Sequence, residues 1–408
     1  MNILFLTLLD FESLDDSNLY TDQLREFVRQ GHSVYVVTPL ERRQHRATYT
    51  VNGESSIILR LKTPNTQKTG VLEKGISLIS IPFLYKNAID RFFSDIKFDL
   101  IIYSTPPITL NTVVKYVKHR DGAKTYLLLK DIFPQNAVDI GLMSQNGVKG
   151  LVYKYFKNKE RQLYAISDYI GCMSPANKEY LTEHNPEIDK EKIDVCPNCV
   201  EVIDKSLNRE RKRNIRKKYG IPHDRIVFVY GGNLGKPQGI PFLIECLSHE
   251  KENEHVFFVI VGNGTEYKQI EDYIKTGIKN VKLIPRVPKE DYDQLVAACD
   301  VGMIFLDHQF TIPNFPSRLL GYMQTKLPVL AVTDPCTDIG KVITEGGFGW
   351  WCESNDVKEF KNKVNEIQSA PLADMGDKAY WYLTAHYDVK IGYQTIMKRL
   401  RENENPCI

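Results

Sequence analysis

The sequence predicts an α/β protein made of two doubly wound units in succession, and three observations carry that expectation. Short apolar or β-branched runs alternate with helical stretches along the 408-residue chain. The alternation stops near a polar stretch marked by Pro197 and Asp204, then restarts at Ile226. The length also exceeds what a single hydrophobic core comfortably serves.

In the first series, strand Asn2–Leu8 leads through a polar loop to a helix at about Ser17–Gln30. Its Leu19, Leu24, Phe27 and Val28 keep helical spacing, and Gly31 ends it. Strands are expected at Ser33–Thr38, Ile57–Leu61, Leu100–Tyr103, Tyr126–Leu129, Tyr169–Met173 and Lys192–Val195, with helices such as Ile108–Lys118 and Val148–Ala165 between them. The second series runs through Ile226–Tyr230, Phe257–Val261, Val281–Ile284, Gly302–Phe305 and Pro328–Val332, with helices at about Pro241–Leu247, Thr265–Thr276 and Lys289–Ala298. The amphipathic stretch Ala379–Leu400 is expected to cross back onto the first unit. This places the first domain at 1–200, with a returning helix at about 385–408, and the second at 201–384. Two open parallel sheets bind ligands beyond the carboxyl ends of their strands, so two such domains facing one another define an interdomain cleft.

Composition narrows the function classes. Apolar residues at 42% and charged residues at 25% are ordinary for a soluble enzyme, and a net charge of +2 gives no general attraction to nucleic acid. The charge is uneven, however: residues 42–170 hold 20 Lys or Arg against 10 Asp or Glu, which suits an anionic partner on that side. The first residues lack the basic leader and cleavage site of a signal peptide, and Asp10, Glu12, Asp15 and Asp16 follow at once. No apolar run reaches the roughly 20 residues of a membrane span; Gly75–Tyr85 is interrupted by Ser77, Ser80 and Pro82. Eight dispersed cysteines point to reduced thiols, and Cys196-Pro-Asn-Cys199 has no second pair with which to make a zinc site. A cytoplasmic protein is expected, peripheral at the inner face of the cell membrane if it meets a membrane at all.

The loops after the strands carry the chemistry. Pro313 to Asp334 reads as a proline-bounded loop, a short helix entered through Phe315-Pro316-Ser317-Arg318, a turn, and a buried strand. Free backbone N–H groups, a hydroxyl and a guanidinium at a helix start suit a diphosphate, whereas an isolated Pro-Ser-Arg would more simply start and cap a helix. Gly231-Gly232-Asn233-Leu234-Gly235-Lys236 follows strand Ile226–Tyr230, and its glycines allow close approach of backbone to phosphate. It matches neither the dinucleotide fingerprint nor the P-loop, which argues against an oxidoreductase and an ATPase. Ile284-Pro285-Arg286-Val287-Pro288 places main-chain groups where a flat base could be read, and strand Tyr126–Leu129 ends in Lys130-Asp131, with Gln135 and Asn136 close behind. Along Lys149–Arg161, Lys149, Lys154, Lys157, Lys159 and Arg161 interleave with Leu151, Val152, Tyr153, Tyr155 and Phe156, a pattern that suits an anionic membrane surface or a core helix with a basic outer face.

Taken in order, Ser104-Thr-Pro-Pro107, Lys130-Asp-Ile-Phe-Pro-Gln135, Pro197-Asn198, Gly232-Asn-Leu-Gly235, the run from Val287-Pro288 to Cys299-Asp300, and Pro316-Ser-Arg-Leu-Leu-Gly-Tyr-Met323 with Lys326-Leu-Pro-Val329 span nearly the whole chain. Together they resemble the retaining glycosyltransferases of family 4 with the GT-B fold. Within that family the chain looks most like the WbuB-type branch, associated with N-acetylfucosamine transfer in bacterial surface-polysaccharide assembly. The resemblance implies a GT-B protein of two Rossmann-like domains that moves a sugar from a nucleoside-diphosphate donor, UDP above all, to a glycan hydroxyl, with a polyprenyl-diphosphate-linked glycan as acceptor.

It further implies Gly232, Asn233, Lys236, Ser317, Arg318 and Leu319 around the donor diphosphate and Arg286 and Val287 by the base. Asp131, at the carboxyl end of its strand, is the candidate catalytic carboxylate, orienting the acceptor or stabilising positive charge on the sugar, with a helix-capping carboxylate as its plainer reading. Asp16, Ser17, Asn18, Lys130 and Gln135 fall on the acceptor side. No metal or cofactor is expected, because cationic side chains can neutralise the leaving diphosphate. The chain departs from the family where two glutamates are common, having Pro313 and Gly321 there. Two other readings stay open, a nucleotide-sugar epimerase, which shares the fold, and a non-catalytic subunit of a partner transferase, which the missing carboxylates keep alive.

Overall fold

The computed structural model describes residues 1–65 and 71–404; Cys407 and the side chain of Lys149 lie outside what it describes. The chain divides into two compact units, one formed by Met1–Glu201 with the residues from Val389 onward, the other by Val202–Asp388.

The first unit begins with strand β1 (Asn2–Leu6), helix α1 (Leu19–Arg29), strands β2 (Ser33–Glu41), β3 (Tyr49–Asn52) and β4 (Ser56–Thr63), and helix α2 (Val71–Phe92). It continues with β5 (Leu100–Ser104), α3 (Asn111–Asp121), β6 (Lys124–Leu129), α4 (Gln135–Asp139), α5 (Gly147–Ile166), β7 (Tyr169–Cys172), α6 (Pro175–His184) and β8 (Ile193–Val195). The sheet order is β3-β4-β2-β1-β5-β6-β7-β8, parallel except where β3 pairs antiparallel with β4. Helices cover both faces, so strands such as Ile3-Leu4-Phe5-Leu6 are apolar without alternation and fully buried.

The second unit contains α7 (Arg209–Lys218), β9 (Ile226–Asn233), α8 (Ile240–His249), β10 (Val256–Asn263), α9 (Tyr267–Ile274), β11 (Val281–Pro285) and α10 (Lys289–Ala297). Then come β12 (Val301–Phe305), α11 (Arg318–Gln324), β13 (Val329–Thr333), α12 (Ile339–Glu345), β14 (Gly349–Glu353), α13 (Val357–Gln368) and α14 (Leu372–His386). Its sheet is wholly parallel in the order β11-β10-β9-β12-β13-β14. The winding reverses between β9 and β12, the position at which such sheets open a crevice for ligand.

Three elements differ from the sequence expectation. The stretch Ala379–Leu400 is two helices, not one: α14 ends at His386 and α15 (Val389–Glu404) follows. Ala379 and Leu383 are buried in the second unit, while Tyr393, Ile396 and Leu400 join the core of the first, so one periodic stripe serves two cores. Helix α15 is fixed to the first unit by Arg399 on the Asp194 carboxylate (2.5–3.0 Å), by Tyr393 Oη against His32 Nε2 (3.1 Å), and by Gln23 Nε2 donating to the Val389 carbonyl (3.2 Å). The apolar run around Gly75–Tyr85 is the middle of α2, which carries Pro82 inside it and buries Ile81, Tyr85, Ala88 and Ile89 at helical spacing. The segment Asp204–Lys218 contains helix α7, whose Arg216 is buried on Asp300 (2.6 Å) and on the Ala298 carbonyl (2.8 Å).

Candidate functional site

At the end of β9 two adjacent glycines leave room for two side chains from different helices. A Cβ on Gly231 would overlap the hydroxyl and ring of Tyr292, which comes from the first turn of α10. A Cβ on Gly232, at φ 131°, would lie 3.5 Å from Arg318 Nη2. Helix α11, which carries Arg318, is seated by Tyr322: its ring fills the space over Gly302 of β12, and its hydroxyl lies 3.0 Å from the Met303 carbonyl and accepts from the Gly231 N–H at 3.3 Å.

The Arg318 guanidinium lies over the Tyr230 ring at 4.5 Å from its centroid. Its Nη1 is buried with no hydrogen-bond partner, and no carboxylate pairs with it among the described residues. Taking a cation partly out of water without an anion beside it carries a desolvation cost that a bound anion would offset. The arrangement leaves a side-chain cation beside Gly232 with one nitrogen open to an acceptor.

The main chain contributes less than the sequence suggests. Helix α11 has seven residues, Leu319 N–H already donates to the Pro316 carbonyl (3.3 Å) and Leu320 N–H to that of Ser317 (3.1 Å). The Leu319 side chain is wholly buried in the core. Ser317 is exposed and makes no capping bond. Asn233 Nδ2 donates to Gln238 Oε1 at 3.0 Å, which ties the glycine-rich loop to itself. Lys236 is exposed on the same loop, close enough to draw down the Glu266 carboxyl against the burial that raises it. Gly262 packs so closely that a Cβ there would overlap the Gly232 carbonyl. Arg286 and Val287 follow β11, two strands from β9 and hence about 10 Å across the sheet.

In the first unit Asp131 stands just past β6. Thr105 Oγ1 accepts from the Asp131 N–H (3.1 Å) and donates to its carbonyl (3.0 Å), fixing the turn, while Asn136 Nδ2 donates to the carboxylate at 2.6 Å. Burial pushes the Asp131 carboxyl up to about 6, against the opposing pull of Asn136 and the Ile132 N–H. The group is thus poised near neutrality, as acid–base and charge-stabilising carboxylates are.

The other residues that the sequence reading expects on the acceptor side are largely engaged with their own chain. Asn18 caps α1 by accepting from Tyr20 N (2.9 Å) and Thr21 N (3.1 Å), and Asp16 accepts from Glu12 N (2.9 Å). Ser17 is exposed. The Lys130 ammonium donates to Asn198 Oδ1 beside the buried thiols of Cys196 and Cys199, and Gln135 Nε2 donates to Asp139 Oδ1 at 2.7 Å.

Helix α5 does not behave as a simple core helix. Leu151 (67% exposed), Val152 and Tyr155 face outward next to exposed Lys154 and Arg161, while Lys157 pairs with buried Glu160. Among the described residues no helix is long and apolar enough to cross a membrane, and no cluster of His, Cys, Asp or Glu is arranged to hold a metal ion.

Residues 18–203 match the family model Glycosyltransferase Family 4, and residues 211–380 match Glycosyl transferases group 1. The Pseudomonas aeruginosa protein named as the probable glycosyltransferase WbjE is 23% identical over 339 residues, covering 82% of this chain and 81% of that one. The O-antigen biosynthesis glycosyltransferase WclY of Escherichia coli is 26% identical over 169 residues, 41% of this chain and 44% of that one. Among solved structures, HepE from Anabaena in complex with UDP superposes with a TM-score of 0.69 at 16% identity, covering 98% of this chain and all of that one.

Proposed function

From a chain that carries a Glycosyltransferase Family 4 domain followed by a Glycosyl transferases group 1 domain in the GT-B fold, we propose a retaining transfer in surface-polysaccharide assembly. The donor is a UDP-sugar, the moving group a hexosyl or N-acetylhexosaminyl unit, and the acceptor a glycan hydroxyl on a polyprenyl diphosphate. The WbuB-type branch is the subfamily whose motifs the chain most resembles. The observation that carries the reading is the Arg318 guanidinium beside Gly232, whose Nη1 is buried without a hydrogen-bond partner and which no carboxylate pairs among the described residues.

In this reading Arg318 and Lys236 neutralise the leaving diphosphate, and the main chain at Arg286–Val287 meets the base. The bond from the anomeric carbon to the diphosphate oxygen breaks as the acceptor oxygen bonds to that carbon on the same face. The acceptor's proton passes to the departing phosphate oxygen. Asp131, ionised above about pH 6, stabilises the positive charge that develops on the sugar. No divalent ion is required, so transfer is expected to persist in EDTA. The exposed apolar and basic side chains of α5 support docking at an anionic membrane surface, where a lipid-linked acceptor would be met.

The test is a panel of nucleotide sugars screened for thermal stabilisation and then for transfer to a lipid-linked acceptor. Stabilisation by a UDP-sugar with transfer to the acceptor is expected. Absence of nucleotide binding throughout the panel would sink the proposal. Binding without transfer would favour the non-catalytic subunit, a reading to which Pro313 and Gly321 lend support because neither supplies a carboxylate.

A further inference from the structure

We infer that Tyr292 is a donor-binding residue whose hydroxyl gives a hydrogen bond to a diphosphate oxygen held by Arg318; the inference rests on the donor-site reading above. Four observations converge on this residue. Its hydroxyl occupies the space opened by the missing side chain of Gly231, next to the glycine that accommodates Arg318. The residue is part-buried, yet no protein group hydrogen-bonds its hydroxyl among the described residues. In this it differs from its neighbours: the Tyr230 hydroxyl donates to the Asn233 carbonyl at 2.7 Å, and that of Tyr322 contacts the carbonyls of Val229 and Met303.

The Arg318 charge also acts directly on this phenol. Burial raises the Tyr292 hydroxyl up to about 12, and the guanidinium pulls against that rise. The group is therefore a neutral donor throughout the physiological range, suited to a phosphate oxygen and unsuited to a second cation. Finally, Tyr292 and Arg318 stand at the starts of the helices before and after β12, on the side where the winding of the sheet reverses. One neutral donor and one fixed cation then share an anion. This makes Gly231 a packing glycine for Tyr292, where the sequence alone suggests a point of close phosphate approach.

The experiment is titration calorimetry of the full chain and its Tyr292→Phe variant with UDP and with uridine, or with GDP and guanosine if that is the pair the unaltered protein takes. The Kd for the diphosphate is expected to rise roughly tenfold or more, the effect of one hydrogen bond to a charged acceptor. The Kd for the nucleoside should stay unchanged. An Arg318→Gln, Tyr292→Phe double variant should lose less than the product of the two single losses, since both groups act on one anion. Unaltered thermal unfolding of unliganded Tyr292→Phe checks that the site is intact, and Tyr292→Leu serves in its place if it is not. Equal diphosphate affinity in variant and parent would overturn the inference alone, as would an equal loss for nucleoside and diphosphate. Failure of the unaltered protein to bind any nucleotide would remove the donor-site reading itself, and the inference with it.

Discussion

In each unit one ionisable side chain stands beyond the carboxyl end of a parallel strand, Asp131 just past β6 and Arg318 at the start of α11 beside the end of β9, and the two are treated in opposite ways. Past β6, Asp131 meets a donor of its own chain in Asn136, and burial shifts its proton affinity toward neutrality. Beyond β9, Arg318 meets an aromatic face and a gap, with no anion from its own chain. A group with an internal partner and a tuned pKa is prepared to change or respond to charge during a reaction. A fixed cation without a partner is prepared to receive charge from outside. On the reading proposed above, the contrast matches chemistry to Asp131 and binding to Arg318.

The sharpest way to break that contrast is to remove the cation. Arg318→Gln is expected to weaken binding of the nucleoside diphosphate by roughly 100-fold, as loss of a charge-assisted contact of about 3 kcal/mol does, and isothermal titration measures it. Lysine at this position should restore only part of the affinity, because it brings a point charge without the flat face that lies on Tyr230. The opposite result is expected of Asp131→Asn. Initial rates of transfer should fall roughly 100-fold or more while nucleotide affinity stays at its original value. If turnover is unchanged, Asp131 is structural and the comparison fails on that side.

The same carboxyl also predicts a pH dependence of stability, and its sign follows from the direction of the shift. Its folded value of about 6 lies above the ordinary value of 3.8, so the folded protein holds the extra proton between those pH values. Stability from this group is full at the acid end of the window and declines as pH rises toward 6. Asp131→Asn should remove that decline and gain about 2 kcal/mol at neutral pH, less than the full shift implies because the group is only part-buried. Urea unfolding at pH 4.5 and 7.5 compares the two proteins. For the membrane contact proposed for α5, reversing Lys154 and Arg161 to glutamate should reduce co-sedimentation with anionic liposomes, each charge near the surface being worth about 1 kcal/mol. The smallest effect expected is at Asn18. Alanine there should cost about 1 kcal/mol of stability through loss of the helix cap, and aspartate should restore it.

The sequence makes the strand framework legible because parallel strands buried on both faces are uninterrupted apolar runs, as in Asn2–Leu6 and Val329–Thr333. Helix α2 is harder to read because Pro82 and two serines break its pattern, and strand β3 is four residues that alternate half-buried and exposed, with Val51 packed against the core. Gly232 and Arg318 are each legible as phosphate candidates, a glycine turn after a strand and a guanidinium at a helix start, but only the sheet order, with β12 beside β9, brings them together. Tyr292 is not. It sits one turn into an ordinary amphipathic helix, and only the absence of a side chain at Gly231 shows where its hydroxyl goes. Nor does sequence indicate that Asn18 and Gln135 are committed to local hydrogen bonds, because their partners Tyr20, Thr21 and Asp139 are unexceptional neighbours.

The return of α15 to the first unit means that this body is assembled from two pieces of chain with the whole second body threaded between them. During synthesis the second unit emerges complete before the last piece of the first exists. Until then Phe27, Val34 and Leu100, which share a core with Ile396 and Leu400, lack part of their cover. Excising residues 1–201 as a fragment would reproduce that unfinished intermediate and leave a sticky apolar seam, so the two lobes are not separable at a single cut.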